Sequence, residues 1–365
     1  MINIPTKSSS NHHIIQNYSA FTVDVEEWFH ILDSDAAPSM ECWSSLESRV
    51  EKNIEVILTM LDSISVKVTF FWLGWLAERH KDLLRRCQKA GHEIASHGYA
   101  HVLAYKVSPK DFKQDITRAK AILEDITGEP VRGFRAAGFG ITKKAPWAFD
   151  VIQESGYQYD SSVFPAPRGH GGMPDSLLGL YFIETQNGHL LEIPISIINI
   201  FRRRTCLFGG GYLRLANKRI IKWGINKLQA AGRPLIVYIH PREIDPGHPR
   251  LHLPLLRRFK CYVNLKSTLP KLQWLFRNYS FCTMLEMVES HVKSCYLDSR
   301  MIPVVRLQNG QASDEQPIIL YEDSNPANTN RFRGKVLSVE KAMADFLNPS
   351  VLHLPQTIHD SNIRE

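Results

Sequence analysis

The sequence lacks three features that would place it in a membrane or in an oxidising compartment. It has no Cys-x-x-Cys pair, no apolar run long enough to cross a bilayer, and no apolar segment of signal-peptide length near its start. Its 6 cysteines are scattered over 365 residues, which is not the pattern of a disulfide framework. We therefore predict reduced thiols, no membrane span and a cytoplasmic location, with attachment to a membrane surface left open.

The sequence also lacks the patterns that bind nucleic acids or nucleotides. No basic stretch is interleaved with aromatic residues, so base stacking and a nucleic-acid partner are not predicted. Gly209, Gly210 and Gly211 do not have P-loop spacing, and we predict a tight turn there. The net charge of +7 favours acidic partners such as anionic glycans or a membrane surface.

Helical and strand periodicities alternate about seven times along the chain, which predicts an α/β fold with a parallel sheet. Seven or eight such units can close into a barrel. We predict one folded domain over 18–290, in which 241–290 form an extension to the barrel. The polar residues 1–17 are predicted to be a disordered tail, and 291–365 an irregular, mobile tail.

Two histidines follow a short predicted strand in the stretch EIASHGYAH. His97 and His101 are four residues apart, and on a helical turn this spacing places both imidazoles on one face. Two imidazoles so placed can bind one first-row metal ion, although two unrelated surface histidines would have the same spacing. A metal site here also requires an acidic ligand from elsewhere in the chain.

Polar residues stand at the ends of five predicted strands. They are Asp24 with Glu26, His97 with His101, Arg135, Asp160 and His240. The carboxyl ends of the strands in an α/β barrel share one face, where active sites form. A carboxylate and two histidines leave metal positions open for water and substrate, and the remaining groups can supply a base, an orienting cation and an acid. This combination suits hydrolysis of an amide.

The ordered motifs TVDVEEW, SHGYAH, GFRAAGFGIT, YDSSVFP and VYIHPREID resemble those of the polysaccharide deacetylases, the NodB-homology carbohydrate esterases. The extension GHPRLHLPLLRRFKCYVNL resembles the subgroup that occurs with exopolysaccharide biosynthesis loci. The resemblance implies a distorted (β/α)7 barrel. It also implies zinc-dependent removal of acetyl groups from N-acetylated sugars, with other divalent first-row metals as alternatives.

The resemblance also implies a role for each matching residue. The implied metal ligands are Glu26, His97 and His101. The implied catalytic residues are Asp24 as general base, Arg135 orienting Asp24, His240 as general acid, and Asp160 tuning His240 or lining the groove. Val25 separates the two acids of the first motif, so the division of base and ligand between Asp24 and Glu26 stays open.

Four further residues are candidates for binding the substrate. A backbone N–H near Ser162 could stabilise the oxyanion, and Tyr99, Phe139 and Tyr212 could stack on sugar rings or pack in the core. Arg242 follows the His-Pro pair where the subgroup usually has tryptophan, which indicates a changed sugar platform or an acidic substrate.

We therefore predict a metal-dependent hydrolase that removes N-acetyl groups from N-acetylhexosamine units of a polysaccharide or its lipid-linked precursor. In this reaction activated water attacks the amide carbonyl, and exopolysaccharide assembly proteins are candidate partners. Two alternatives remain: a metal-dependent amidase for a small amide, and a non-catalytic glycan-binding protein of the export machinery.

Overall fold

The computed structural model describes residues 19–169, 171–297, 302–307 and 319–321. The tail predicted for residues 1–17 lies outside this part of the chain. A ten-stranded sheet forms the centre of the molecule, with a separate two-stranded hairpin beside it. The strands are β1 Ser19–Val25, β2 Thr69–Trp72, β3 Glu93–Ser96, β4 Gly133–Phe134, β5 Tyr159–Asp160, β6 Tyr181–Thr185, β7 Gly188–Glu192, β8 Ile197–Ile200, β9 Arg203–Cys206, β10 Leu235–Ile239, β11 Val304–Leu307 and β12 Ile319–Tyr321.

Seven strands of this sheet run parallel in the order β10-β1-β2-β3-β4-β5-β7. Strand β1 is buried along its whole length between β10 and β2, and the alternating, β-branched sequence of Ala20 to Val25 predicts a strand here. The first and the last strand of the repeated units are therefore neighbours, and the residues that follow them meet at one edge.

The segment between β7 and β10 bridges the two ends of this parallel array. The backbone N–H of Ile193 donates to the Asp160 carbonyl, that of Ile236 to Ser196 Oγ, and that of Tyr238 to the Phe208 carbonyl. In a closed barrel, regular strand pairing would join β7 to β10. Here these irregular hydrogen bonds connect the two ends of the array instead. The predicted α/β class and the distorted barrel are confirmed.

The helices pack around the sheet, and the pair Ser108-Pro109 predicts that one of them begins there. They are α1 Met40–Trp43, α2 Val50–Asp62, α3 Gly74–Arg79, α4 Lys81–Lys89, α5 Pro109–Thr127, α6 Ala148–Glu154, α7 Gly210–Leu215, α8 Lys218–Ala230, α9 Leu255–Tyr262, α10 Thr268–Asn278 and α11 Met284–Leu297. Ser108 caps α5 by accepting the Asp111 N–H at 3.1 Å, and Pro109 occupies the first turn, as predicted. None of the described helices has both the length and the apolar surface that crossing a bilayer requires.

Three stretches differ from the predictions. Gly210 and Gly211 begin helix α7 and do not form a tight turn. The glycines and proline of 169–188 predict a loop, but this stretch contains β6, which pairs with β7. Part of the tail predicted as irregular over 291–365 is ordered, since α11 extends to Leu297 and β11 pairs in parallel with β6. The rest of that tail, apart from β12, lies outside the described residues.

Candidate active site

Glu26, His97 and His101 meet at the carboxyl-end edge of the sheet. Glu26 follows β1 and His97 follows β3, and these strands are separated only by β2. Glu26 Oε1 lies 3.2 Å from His97 Nε2 and 2.8 Å from His101 Nε2. The three ligand atoms all lie within 4.8 Å of one another, and the residues are buried.

The backbone of Arg135 fixes the protonation of His97. His97 Nδ1 lies 2.7 Å from the Arg135 carbonyl oxygen, and because a carbonyl only accepts, Nδ1 carries the proton. His97 Nε2 is the ring nitrogen that faces the Glu26 carboxylate, and a hydrogen bond from the other ring nitrogen to a backbone carbonyl is common in metal-binding histidines. One carboxylate oxygen and two imidazole nitrogens form a donor set that suits Zn²⁺ and other divalent first-row metals. The residues present therefore fit the implied metal ion.

Electrostatics favour the ionised form of Glu26. Burial alone would raise the pKa of this carboxyl, but the charges of His101 and His240 and the hydrogen bonds from His101 and His97 hold the pKa well below its usual value. The carboxylate is thus available as a ligand without first losing a proton.

A tight loop after β3 places His101 beside His97. Gly98 has φ +77°, and a Cβ added there would lie 2.8 Å from Asp115 Oδ2. Asp115, on α5, accepts the N–H groups of Tyr99 at 2.8 Å and of Ala100 at 2.9 Å. His101 itself has φ +54°, a conformation that non-glycine residues adopt at a cost of about 1–2 kcal/mol. The loop therefore depends on Asp115, whose role the motif did not reveal.

Asp24 lies in a buried ion pair with Arg135. Arg135 Nη1 is 2.7 Å from Asp24 Oδ1 and also donates to Thr22 Oγ1 at 2.7 Å. The same guanidinium donates to Ser161 Oγ at 3.1 Å and lies over the Phe71 ring, with Cζ 4.1 Å from the ring centroid. Both charged groups are almost fully buried, so each requires the other as its counter-charge. The structure thus places Asp24 with the arginine and Glu26 with the histidines.

His240 follows β10 and faces Glu26 from the other side. Its Nε2 lies 3.6 Å from Glu26 Oε1, and its Nδ1 lies 2.7 Å from Glu243 Oε1. Glu243 forms a buried ion pair with Arg214. Glu243 and Arg214 were not singled out from the sequence. The spacing of three residues between His240 and Glu243 was a usable signal, because a single 3₁₀ turn over Pro241–Ile244 brings these two side chains together.

Asp160 does not contact His240. Its Oδ1 accepts the hydroxyl of Ser162, and its other neighbour is the buried carboxyl of Glu192. Burial and the charge of Asp160 raise the pKa of Glu192 well above its usual value, so Glu192 holds a proton and Asp160 shares it. Asp160 was predicted to tune His240 or to line the groove. The carboxylate that contacts His240 is that of Glu243.

A cavity of about 340 Å³ opens beside the metal-binding set. Glu26, His101 and His240 line it together with Tyr212 and Arg242. Arg242 Nη1 lies 3.7 Å from Glu26 Oε2. Tyr212 is the predicted stacking residue that the structure brings to this cavity.

The cavity also has a histidine that the sequence reasoning missed. His30 Nδ1 accepts the Glu27 N–H at 3.2 Å, so in the neutral ring Nε2 carries the hydrogen. That buried Nε2 has no hydrogen-bond partner among the described residues, and its ring lies 5.6 Å from that of His101. His30 is therefore an unsatisfied donor in the wall of the cavity.

Three predicted substrate-binding residues do not line this cavity, namely Tyr99, Phe139 and Ser162. The Tyr99 hydroxyl donates to Glu78, and Arg118 covers the ring, with Cζ 3.6 Å from the ring centroid. Phe139 is buried against Phe164 and Tyr238, with ring centroids 5.6 and 5.1 Å away. Both rings are covered by protein groups and cannot stack on a sugar, which corrects the prediction.

Ser162 is buried, and its side chain serves the protein itself. Its Oγ accepts the Ala136 N–H at 2.7 Å, and its backbone N–H faces the Asp160 carboxyl. The predicted contribution of this region to an oxyanion site stays a prediction.

Fold and site together define the class of protein, an α/β barrel with a Glu-His-His candidate metal centre at the carboxyl ends of its strands. Residues 39–159 match the family model described as polysaccharide deacetylase, so the chain carries a polysaccharide deacetylase domain, as its motifs predicted. Residues 161–289 match a domain of unknown function, DUF3473. The second match contains His240, Glu243 and Arg214, whereas Asp24 and Glu26 precede the first.

Two curated relatives each match less than a third of the chain. A peptidoglycan-N-acetylglucosamine deacetylase of Bacillus cereus is 31% identical over 102 residues, which are 28% of this chain and 46% of the relative. A peptidoglycan deacetylase of Helicobacter pylori is 23% identical over 119 residues, or 31% of this chain and 38% of that relative. The chain thus spans less than half the length of each of these two relatives.

Solved structures support the fold over a longer stretch. One named as a polysaccharide deacetylase from Mycobacterium smegmatis has a TM-score of 0.52 and 17% sequence identity. The aligned region covers 82% of this chain and 94% of that chain. The PuuE allantoinase has a TM-score of 0.50 and 17% sequence identity, and the aligned region covers 74% of this chain and 89% of that chain. At these identities the likeness establishes the fold alone.

Proposed function

We propose that this protein is a metal-dependent N-deacetylase that removes acetyl groups from N-acetylhexosamine units of an acidic polysaccharide or its lipid-linked precursor. The observation that carries this proposal is the convergence of Glu26, His97 and His101 on one point that His240 faces from the opposite side of the same cavity. The curated relatives are named as peptidoglycan deacetylases, which supports the same bond as the target. A role in exopolysaccharide synthesis is part of this proposal.

The residues divide the reaction among them. Glu26, His97 and His101 would hold the cation, which when bound supplies Lewis acidity towards an amide carbonyl and lowers the pKa of water. Asp24, paired with the buried Arg135 guanidinium, accepts a proton from the water that attacks the carbonyl carbon. His240, held through Nδ1 by Glu243, donates a proton to the leaving amine nitrogen. Acetate and a free amino sugar result.

The charges in the cavity favour an acidic glycan. Arg168, Arg242 and Lys260 line it, whereas the acidic residues of the lining, Glu26 and Glu243, are already paired with histidines or with Arg214. Cationic side chains around a cleft raise the local concentration of anionic ligands. We therefore expect faster turnover on glycans that carry carboxylate or phosphate groups than on neutral chitooligosaccharides.

The test is acetate release from chitooligosaccharides and from an acidic N-acetylated polysaccharide, with protein loaded with Zn²⁺ or stripped by a chelator. Asp24→Asn and His97→Ala should each lower kcat/KM by about 100-fold or more. His97→Ala should also lower the bound metal measured by elemental analysis, since it removes a ligand. The matched control is His252→Ala, a histidine exposed to solvent, which should change neither quantity.

Other results would redirect or overturn the proposal. Unchanged activity of the stripped protein would exclude a metal-dependent reaction. Hydrolysis of small amides without acetate release from any glycan would favour the amidase alternative. Tight glycan binding with no acetate release at any metal would indicate a glycan-binding protein.

A further inference from the structure

Helix α9 presents an apolar face to solvent. The side chains of Leu255, Leu256 and Phe259 are 84%, 68% and 53% exposed. Single exposed apolar residues are ordinary, but a contiguous group at positions i, i+1 and i+4 of one helix marks an interaction surface. Tyr212 and Leu215 of the adjoining α7 are also partly exposed and line the same cavity as Leu256 and Phe259.

Basic residues alternate with these apolar side chains. Arg258 and Lys260 are exposed, and Arg257 donates to the Leu32 carbonyl at the inner side of the helix. Apolar side chains flanked by lysine and arginine are typical of helices that lie in the interfacial region of an anionic bilayer. A symmetric contact with a second copy would bring Arg258 and Lys260 of one copy against the same cations of the other. The charge therefore favours a lipid surface as the occupant.

The helix is rigidly attached to the protein beneath it. Arg214 donates to the carbonyl oxygens of Lys260 at 2.7 Å, Cys261 at 3.0 Å and Val263 at 2.9 Å. Tyr262 is buried with Ile31 in a small apolar cluster. The inner side of α9 is thus already satisfied, and its outer apolar side chains project from a fixed base.

We propose that α9 docks the protein on an anionic membrane surface, with the mouth of the cavity turned towards the lipid headgroups. Leu256, Arg257, Phe259 and Lys260 belong both to the helix and to the lining of the cavity that contains His240. A protein seated through this helix would therefore open its cavity beside the bilayer, where a glycan on a lipid carrier would lie. The docking itself does not depend on the proposed deacetylation.

The experiment is co-sedimentation of the full chain with vesicles of phosphatidylcholine alone and of phosphatidylcholine mixed with phosphatidylglycerol. Wild type should bind the mixed vesicles, with an affinity that falls as salt is raised. Leu255→Ser combined with Leu256→Ser and Phe259→Ser should lower the partition coefficient about tenfold or more. Arg258→Gln combined with Lys260→Gln should remove the preference for the mixed vesicles. The control replaces Ile220 and Trp223, two partly exposed residues of α8, with serine and should bind as wild type.

Thermal unfolding shows whether each variant is folded, and vesicle binding is measured without any glycan, so the result does not depend on catalysis. Wild type that ignores the mixed vesicles would overturn the proposal, as would equal binding by the triple serine variant. A dimer of wild type that the triple variant loses, without any vesicle binding, would assign the face to a second copy instead.

Discussion

Glu243 positions His240, the proposed proton donor, through a contact at Nδ1. Burial would raise the pKa of this carboxyl, but the charge of Arg214 and the hydrogen bond with His240 lower it to about 2. Glu243 is therefore ionised at any working pH and keeps a negative charge against His240 Nδ1. This arrangement holds the ring by Nδ1 and leaves Nε2 facing Glu26 in the cavity.

At this residue we predict that Glu243→Gln lowers kcat about 100-fold, because the amide keeps the size of the side chain but removes the carboxylate that holds His240 by Nδ1. Steady-state kinetics on a soluble glycan measure the effect, with KM expected to change little. Bound metal, measured in the same sample, should stay at the wild-type level because Glu243 is not a candidate ligand. A variant that loses metal and activity together would show that Glu243 acts only by maintaining the fold.

At the level of structural elements, the turn after β3 determines whether His101 can meet Glu26. Gly98 combines a positive φ with a close approach to Asp115 Oδ2, an oxygen that is held in place by the Tyr99 N–H. Gly128, at the end of α5, has a similar φ of +70°, but a Cβ there would meet nothing within 4 Å. The two glycines therefore share a left-handed backbone conformation, but only at Gly98 would an added Cβ meet another residue.

We predict that Gly98→Ala destabilises the protein more than Gly128→Ala does. Both substitutions introduce backbone strain of about 1 kcal/mol, and only the first forces Asp115 away from the amides that it accepts. Denaturant unfolding measures the stabilities, and titration with Zn²⁺ should show weaker binding for Gly98→Ala alone. Equal stabilities and equal zinc affinities of the two variants would mean that the turn tolerates displacement of Asp115.

On the scale of the whole molecule, the Asp160–Glu192 pair links the stability of the fold to pH. Both residues are fully buried, and the pKa of Glu192 is raised by burial and by the charge of Asp160. A group with a raised pKa in the folded state contributes stability that is present below its unfolded pKa and is lost as pH rises through the folded value. Glu192 should therefore weaken the fold as the solution becomes alkaline.

We predict that Glu192→Gln becomes more stable relative to wild type as pH rises from 5 to 8, because glutamine donates to Asp160 without titrating. The difference in unfolding free energy should change by at most about 1.4 kcal/mol per pH unit. Urea unfolding at several pH values measures it, and Glu129→Gln, at an exposed position, is the control. A difference that does not vary with pH would show that the pair does not share a proton.

Much of the fold was predictable because the parallel strands are marked by continuous apolar runs. The polar residues at the ends of those runs had to fall at one edge, and Glu26, His97 and His240 do lie together there. The division between Asp24 and Glu26 was not predictable, since it depends on which acid reaches Arg135 and which reaches the histidines. Their catalytic roles stay predictions.

The residues that the sequence did not reveal act through contacts between distant segments. Asp115 and Arg214 are single charged residues within helices, and no local pattern shows that they bind loop amides or carbonyls of another helix. The sequence left Tyr99 and Phe139 as either sugar platforms or core residues, because an aromatic residue near a motif has the same sequence signal whether its ring is open or covered.

The position of the candidate ligands along the chain has a consequence for biosynthesis. Glu26, His97 and His101 follow strands near the start of the protein, whereas His240 follows the strand that pairs with β1 from a far later position. A chain emerging from the ribosome therefore presents its candidate cation ligands well before the proposed proton donor is synthesised. Zinc captured at that stage would hold two early segments together, and the proposed reaction would have to wait until β10 joins them.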